Sequence, residues 1–105
     1  MIYKVTARYI EEKASEFYEK LTDGTIEAQR PDGSEILASM ERAKITVAGT
    51  IEWYESCYCP TPLAHERSTV YDLFLTDINT IEVDDYGTSE GGSFWAFLQK
   101  ASASG

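Results

Sequence analysis

Two cysteines and the single histidine of the chain fall within nine consecutive residues, where they could bind a metal ion. Cys57, Cys59 and His65 stand in the segment Cys-Tyr-Cys-Pro-Thr-Pro-Leu-Ala-His. Thiolate and imidazole are ligands that zinc and other soft metals prefer. Structural zinc sites usually pair cysteines as C-x₂₋₄-C, and the fourth ligand would have to be Glu66 or a distant carboxylate. Zinc is therefore the alternative hypothesis, and two inert cysteines without a cofactor are the primary expectation.

His65, Glu66 and Arg67 form a second candidate site, for a small-molecule ligand. His65 has polar neighbours with which it could act as a general base, and Arg67 could bind an anionic group. The segment does not match the zinc-protease motif H-E-x-x-H, because Thr69 stands where the second histidine would be. Since no nucleophile and base of a known catalytic type stand out, we expect a protein that is not an enzyme.

The chain is acidic, and its negative charge lies mainly in its second part. The 105 residues carry 9 Lys and Arg against 18 Asp and Glu, a formal net charge of −9. Residues 45–105 hold only 2 basic residues against 9 acidic ones. Because positive side chains must neutralise phosphate, this composition argues against nucleic acid and against an anionic membrane surface. A basic protein is the partner that such a surface favours.

Length and composition predict one cytoplasmic domain. A chain of this size suits a single domain over residues 1–100, and the small polar residues 101–105 predict a disordered tail. No apolar run approaches the ~20 residues of a membrane span. The first residues lack the basic and apolar regions of a signal peptide. Two cysteines are also too few for a secreted scaffold built on disulfides.

Hydrophobic periodicity predicts the elements that position these residues. Alternation of apolar and polar residues indicates strands at 2–10, 25–29, 50–59, 68–77 and 80–86. Helical spacing indicates helices at 11–23, 34–42 and 93–100. We expect Gly24 to end the first helix, residues 76–79 to form a turn and residues 87–93 to form a loop. A hairpin of residues 25–29 with 35–39 is the alternative to the second helix.

This order of elements predicts an α+β fold. We expect a two-layer sandwich, in which a small and mostly antiparallel sheet is opened by a β-α unit and the helices pack on one face. Such a sheet leaves an edge or a face uncovered, which favours a homodimer. The primary functional prediction is a non-catalytic, self-associating protein-interaction module. The alternatives are metal binding through Cys57, Cys59 and His65, and a small-molecule-binding protein or enzyme with a pocket near His65 and Arg67.

Overall fold

Residues 1–104, which the computed structural model describes, form an antiparallel sheet of five strands and four helices. The strands are β1 (Ile2–Tyr9), β2 (Lys44–Val47), β3 (Thr50–Ser56), β4 (Leu75–Val83) and β5 (Gly92–Ser93). Their order across the sheet is β4-β1-β3-β2-β5. The helices are α1 (Ala14–Thr22), α2 (Gly33–Arg42), α3 (residues 64–74) and α4 (Phe94–Ser104). The predicted α+β class and the antiparallel sheet are therefore confirmed.

Strand β1 lies between β3 and β4 and pairs with both in antiparallel register. Val5 of β1 faces Trp53 of β3 on one side and Thr80 of β4 on the other. Alternate residues of β1 are buried, as the period-2 pattern predicts. The helices cover this buried face of the sheet, and the ring of Phe17 in α1 stacks on that of Phe74 in α3 at 4.5 Å. The core thus lies between one face of the sheet and the helical layer.

The opening β-α unit and the second helix agree with the sequence. A 3-10 turn (Glu11–Lys13) leads into α1, and Gly24 follows the helix with φ +91°. The predicted strand at 25–29 is wrong, and so is the hairpin. The N–H of Ala28 donates to the carbonyl of Gly24 at 3.0 Å, so these residues form local turns rather than a ladder. Ile26 is buried there without belonging to a strand.

The predicted strand at 68–77 is wrong for residues 68–74, which are helical, whereas residues 75–77 belong to β4. Helix α3 consists of three consecutive segments, Ala64–Glu66, a π-helical Arg67–Tyr71 and Asp72–Phe74. Val70, Tyr71 and Phe74 are buried and Leu73 is exposed, which fits one helical face, whereas a strand would place the neighbours Val70 and Tyr71 on opposite faces. The predicted turn at 76–79 lies inside β4, which also contains the first part of the predicted strand 80–86. Short apolar runs fit both periods, which is why the pattern misled here.

Smaller differences concern the element ends. Strand β3 ends at Ser56 instead of residue 59, and the short strand β2 was not predicted. Helix α4 continues to Ser104, so the predicted tail from residue 101 is helical as far as the structure describes it. Ala101 packs against the core, which extends the helix beyond Lys100. Residue 105 lies outside the described residues.

Candidate metal centre

Cys57, Cys59 and Glu66 meet where the chain leaves β3 and enters α3. One ligand atom from each residue lies within 4.8 Å of the other two. The N–H of Cys57 donates to the carbonyl of Met1 at 2.8 Å, which continues the β1–β3 pairing and turns the Cys57 side chain inward. Leu63, with φ 57°, precedes α3, so Glu66 stands in the first turn of the helix, opposite the thiols.

The carboxylate of Glu66 accepts a hydrogen bond from each thiol. Its Oε1 lies 3.6 Å from Sγ of Cys57 and 3.4 Å from Sγ of Cys59. Glu66 is 1% exposed, and the two thiols are hydrogen-bond partners of its side chain. Burial raises the pKa of the Cys57 thiol to about 12, which keeps its proton in place without a metal. The backbone N–H of Cys59 also donates to Sγ of Cys57 at 3.3 Å.

These distances match the edges of a tetrahedral metal site. With Zn–S of about 2.3 Å and Zn–O of about 2.1 Å, a tetrahedral angle separates sulfur from oxygen by about 3.6 Å. The two Sγ–Oε1 distances, 3.6 and 3.4 Å, already have this size. The two Sγ atoms, which lie within 4.8 Å of each other, would have to be about 3.8 Å apart, so an ion could replace the two thiol protons after shifts of up to about an ångström.

All three residues line one cavity. Its volume is about 320 Å³, and its wall consists of Pro31, Asp32, Glu35, Ser56, Cys57, Tyr58, Cys59 and Glu66. Tyr58 is 89% exposed, so solvent reaches the cavity beside it. An ion at the three ligand atoms would thus border a space that is large enough for a small molecule.

His65 lies outside this cluster. Its Nδ1 is 2.7 Å from Oδ2 of Asp32, a residue of the cavity wall, and its own side chain is half exposed. Consecutive residues on a helix point about 100° apart, so His65 and Glu66 do not reach the same point. Of the three predicted metal ligands, the structure brings Cys57 and Cys59 together, and Glu66 takes the place that His65 was expected to fill.

Arg67 points away from the other predicted binding residues. Its Nε lies 3.1 Å from Oδ1 of Asp72 on the protein surface. The structure therefore does not bring the predicted binding residues His65, Glu66 and Arg67 together. His65 pairs with Asp32 and Arg67 with Asp72, while Glu66 is buried beside the thiols. Among the three, Glu66 alone lines the cavity.

Two further carboxylates near the site were not predicted. Glu55, fully buried in β3, accepts hydrogen bonds on Oε1 from Trp53 Nε1 at 2.8 Å and Tyr71 Oη at 2.6 Å. Burial raises the pKa of Glu55 to about 8. In the sequence, Glu55 falls on the apolar face of the predicted strand 50–59, and this position indicates a buried acid. Glu35, on the cavity wall, had no such signal.

Glu35 is held in place by three donors. Its Oε2 accepts from Arg42 Nη2 at 3.0 Å, from the N–H of Ser56 at 3.0 Å and from Tyr86 Oη at 2.9 Å. Because Arg42 compensates its charge, Glu35 is a fixed part of the wall. It also joins α2 to the end of β3, which holds the thiol-bearing segment next to the helical layer.

Comparisons with known proteins do not assign the chain to a family. No family model, no curated protein and no solved structure matches it. Among residues 1–104, no helix combines the length and the apolar character that crossing a membrane requires. A function for the chain is therefore inferred from the arrangement of its own side chains.

Proposed function

We propose that the protein binds a thiophilic divalent cation, with zinc as the first candidate, through Cys57, Cys59 and Glu66. The convergence of two thiols and a carboxylate within 4.8 Å supports this most strongly. Thiolate sulfur and carboxylate oxygen are both established zinc ligands. The proposal keeps the two cysteines of the sequence hypothesis and replaces His65 with Glu66.

The electrostatics of the cluster favour a cation. A buried carboxylate is costly unless an opposite charge or hydrogen bonds compensate it, and Glu66 has thiol protons as partners. Thiols are weak donors, so they compensate the carboxylate incompletely. A divalent ion would displace these protons and neutralise most of the charge of two thiolates and one carboxylate. Metal binding would therefore release protons and stabilise the fold.

A cytoplasmic location is part of this proposal. Both cysteines are free. Thiols remain reduced in the cytosol, whereas an oxidising compartment would convert them to disulfides. A site that needs two thiolates is therefore best maintained in a reducing environment.

Native mass spectrometry of zinc-loaded protein tests the proposal. We expect one zinc ion per chain and strongly weakened binding in Cys59→Ser and Glu66→Gln. The loss should exceed the roughly 10–100-fold that removal of an outer-shell partner costs. Glu90→Gln, which removes the same charge from the loop after β4, is the matched control and should bind like the wild type. Failure to retain zinc, or equal affinity of all variants, would exclude the site.

Self-association is the second candidate function, and the edge of the sheet supports it. Strand β4 is nine residues long and lies at one end of the strand order, so no described strand pairs with its outer edge. Ile81 on this strand is 64% exposed. Long edge strands with exposed apolar residues favour pairing with another chain, either a second copy or a basic partner that complements the acidic surface.

Light scattering after size exclusion tests this second candidate. We expect a dimer at tens of micromolar, and a monomer for Ile81→Lys, because a lysine on the edge opposes strand pairing. Val47→Lys is the matched control, since Val47 is equally exposed but lies on β2. A wild-type monomer at the same concentration would leave only a heterologous partner for this edge.

A further inference from the structure

We propose, on the premise that the metal site described above is real, that the bound ion keeps one coordination position open into the cavity. We further infer that this position takes a small neutral nitrogen or sulfur donor. The number of ligands, the place of the cavity and the charge of its wall support these two statements.

The protein supplies three ligands where zinc requires four. Among the described residues, the cluster of His, Cys, Asp and Glu side chains consists of Cys57, Cys59 and Glu66. His65 is turned to Asp32, at 2.7 Å. Structural zinc sites are closed by four protein ligands, whereas sites with three keep a position for an external molecule. The geometry therefore corresponds to an exchangeable site.

The open coordination position faces a cavity that can hold a small molecule. Cys57, Cys59 and Glu66 all belong to the wall of the cavity of about 320 Å³. This volume lies at the lower end of the range for small-molecule pockets, about 300–1,000 Å³. The exposed Tyr58 side chain marks where solvent enters. A molecule of the size of an imidazole or a small thioether fits this space.

The charge of the wall selects a neutral ligand. The two thiolates and the Glu66 carboxylate carry three negative charges, and the ion carries two positive charges. The site with its metal therefore keeps a net charge of about −1. Asp32 and Glu35 add further carboxylates to the wall, each of them held by a partner, His65 or Arg42. An anion entering the cavity would meet like charge at short distance in a partly desolvated space. A neutral lone-pair donor avoids this repulsion and still binds the metal.

Cobalt(II)-substituted protein tests the inference, because its visible bands report on every ligand of the ion. We expect a thiolate-to-cobalt charge-transfer band in the wild type. Imidazole, added at a pH at which it is neutral, should shift the d–d bands while the charge-transfer band is retained. Azide, a small anion that also binds cobalt, should need a concentration at least about tenfold higher, equivalent to about 1.4 kcal/mol.

A variant that fills the cavity provides the control. Ser56 lines the cavity without being a metal ligand, and the hydrogen bond to Glu35 uses its backbone N–H. Ser56→Phe should therefore retain the charge-transfer band and lose the response to imidazole. Tyr58→Ala, which widens the entrance, should keep the response.

Each result has a distinct meaning. Absence of the charge-transfer band in the wild type would overturn the metal site itself, and with it this inference. A normal band that imidazole does not change would overturn the open position and leave the metal site intact. Equal responses to imidazole and azide would overturn the selection of a neutral ligand. A response that Ser56→Phe does not reduce would place the external ligand outside the cavity.

Discussion

At the scale of single residues, the buried Glu55 and Glu66 have different hydrogen-bond partners and different roles. Glu66 accepts hydrogen bonds from two thiols and is the carboxylate that can serve a metal. Glu55 receives its hydrogen bonds from Trp53 and Tyr71, and its Oε2 has no partner among the described residues. Burial favours the protonated form of Glu55, so this residue makes stability depend on pH.

Substitution of Glu55 by glutamine should change that pH dependence. The pKa of Glu55 is about 8 in the folded protein, against an ordinary value of 4.5. The folded state therefore holds an extra proton between these values, and its contribution to stability is lost as the pH rises towards 8. In metal-free protein, the free energy of unfolding of Glu55→Gln relative to wild type should rise from about pH 5 to pH 8, by up to about 1.4 kcal/mol per unit.

Urea unfolding of both proteins across this pH range measures the difference. Glu90→Gln is the control, because Glu90 lies in the loop between β4 and β5 rather than in the core. A difference between wild type and Glu55→Gln that stays constant over the range would show that Glu55 is ionised in the folded protein.

At the scale of elements, the sequence predicted what local periodicity determines and missed what tertiary contacts decide. The segments that form β1 and α1 carry a pattern that fits one period only. The pattern of residues 67–74 fits the helical and the strand period. In the helix, the hydroxyl of Tyr71 donates a hydrogen bond to the buried Glu55 of β3. The replacement of His65 by Glu66 follows from the same helix, since it determines which of two neighbours faces the thiols.

Two alanine substitutions distinguish the helix from the predicted strand. In α3, Leu73 is 53% exposed and Phe74 is buried against Phe17. Phe74→Ala should cost about 3–5 kcal/mol of unfolding free energy, and Leu73→Ala less than about 1 kcal/mol. A strand with Tyr71 and Leu73 on its inner face would give the opposite order. Chemical denaturation of the two variants decides between these structures.

At the scale of the whole molecule, the metal site connects parts that are distant in sequence. Cys57 and Cys59 follow β3, Glu66 lies in the first turn of α3, and Glu35 of α2 is hydrogen-bonded to the end of β3. Metal binding should therefore stabilise the entire fold and not only one loop.

Thermal unfolding should show this stabilisation. With free zinc at 100 times the dissociation constant, mass action adds about 2.7 kcal/mol, which corresponds to a rise in Tm of about 10 °C for a chain of this size. Cys59→Ser, measured by the same calorimetry, should show no rise at the same zinc concentration. An equal rise in the variant would mean that zinc binds elsewhere.

X-ray absorption at the zinc edge of stoichiometrically loaded protein tests the proposed metal site most directly. Binding by Cys57, Cys59 and Glu66 predicts two sulfur atoms at about 2.3 Å and oxygen or nitrogen atoms at about 2.0–2.2 Å. The sulfur count should fall to one in Cys59→Ser. A wild-type spectrum with oxygen and nitrogen neighbours only, and no sulfur, would contradict the site.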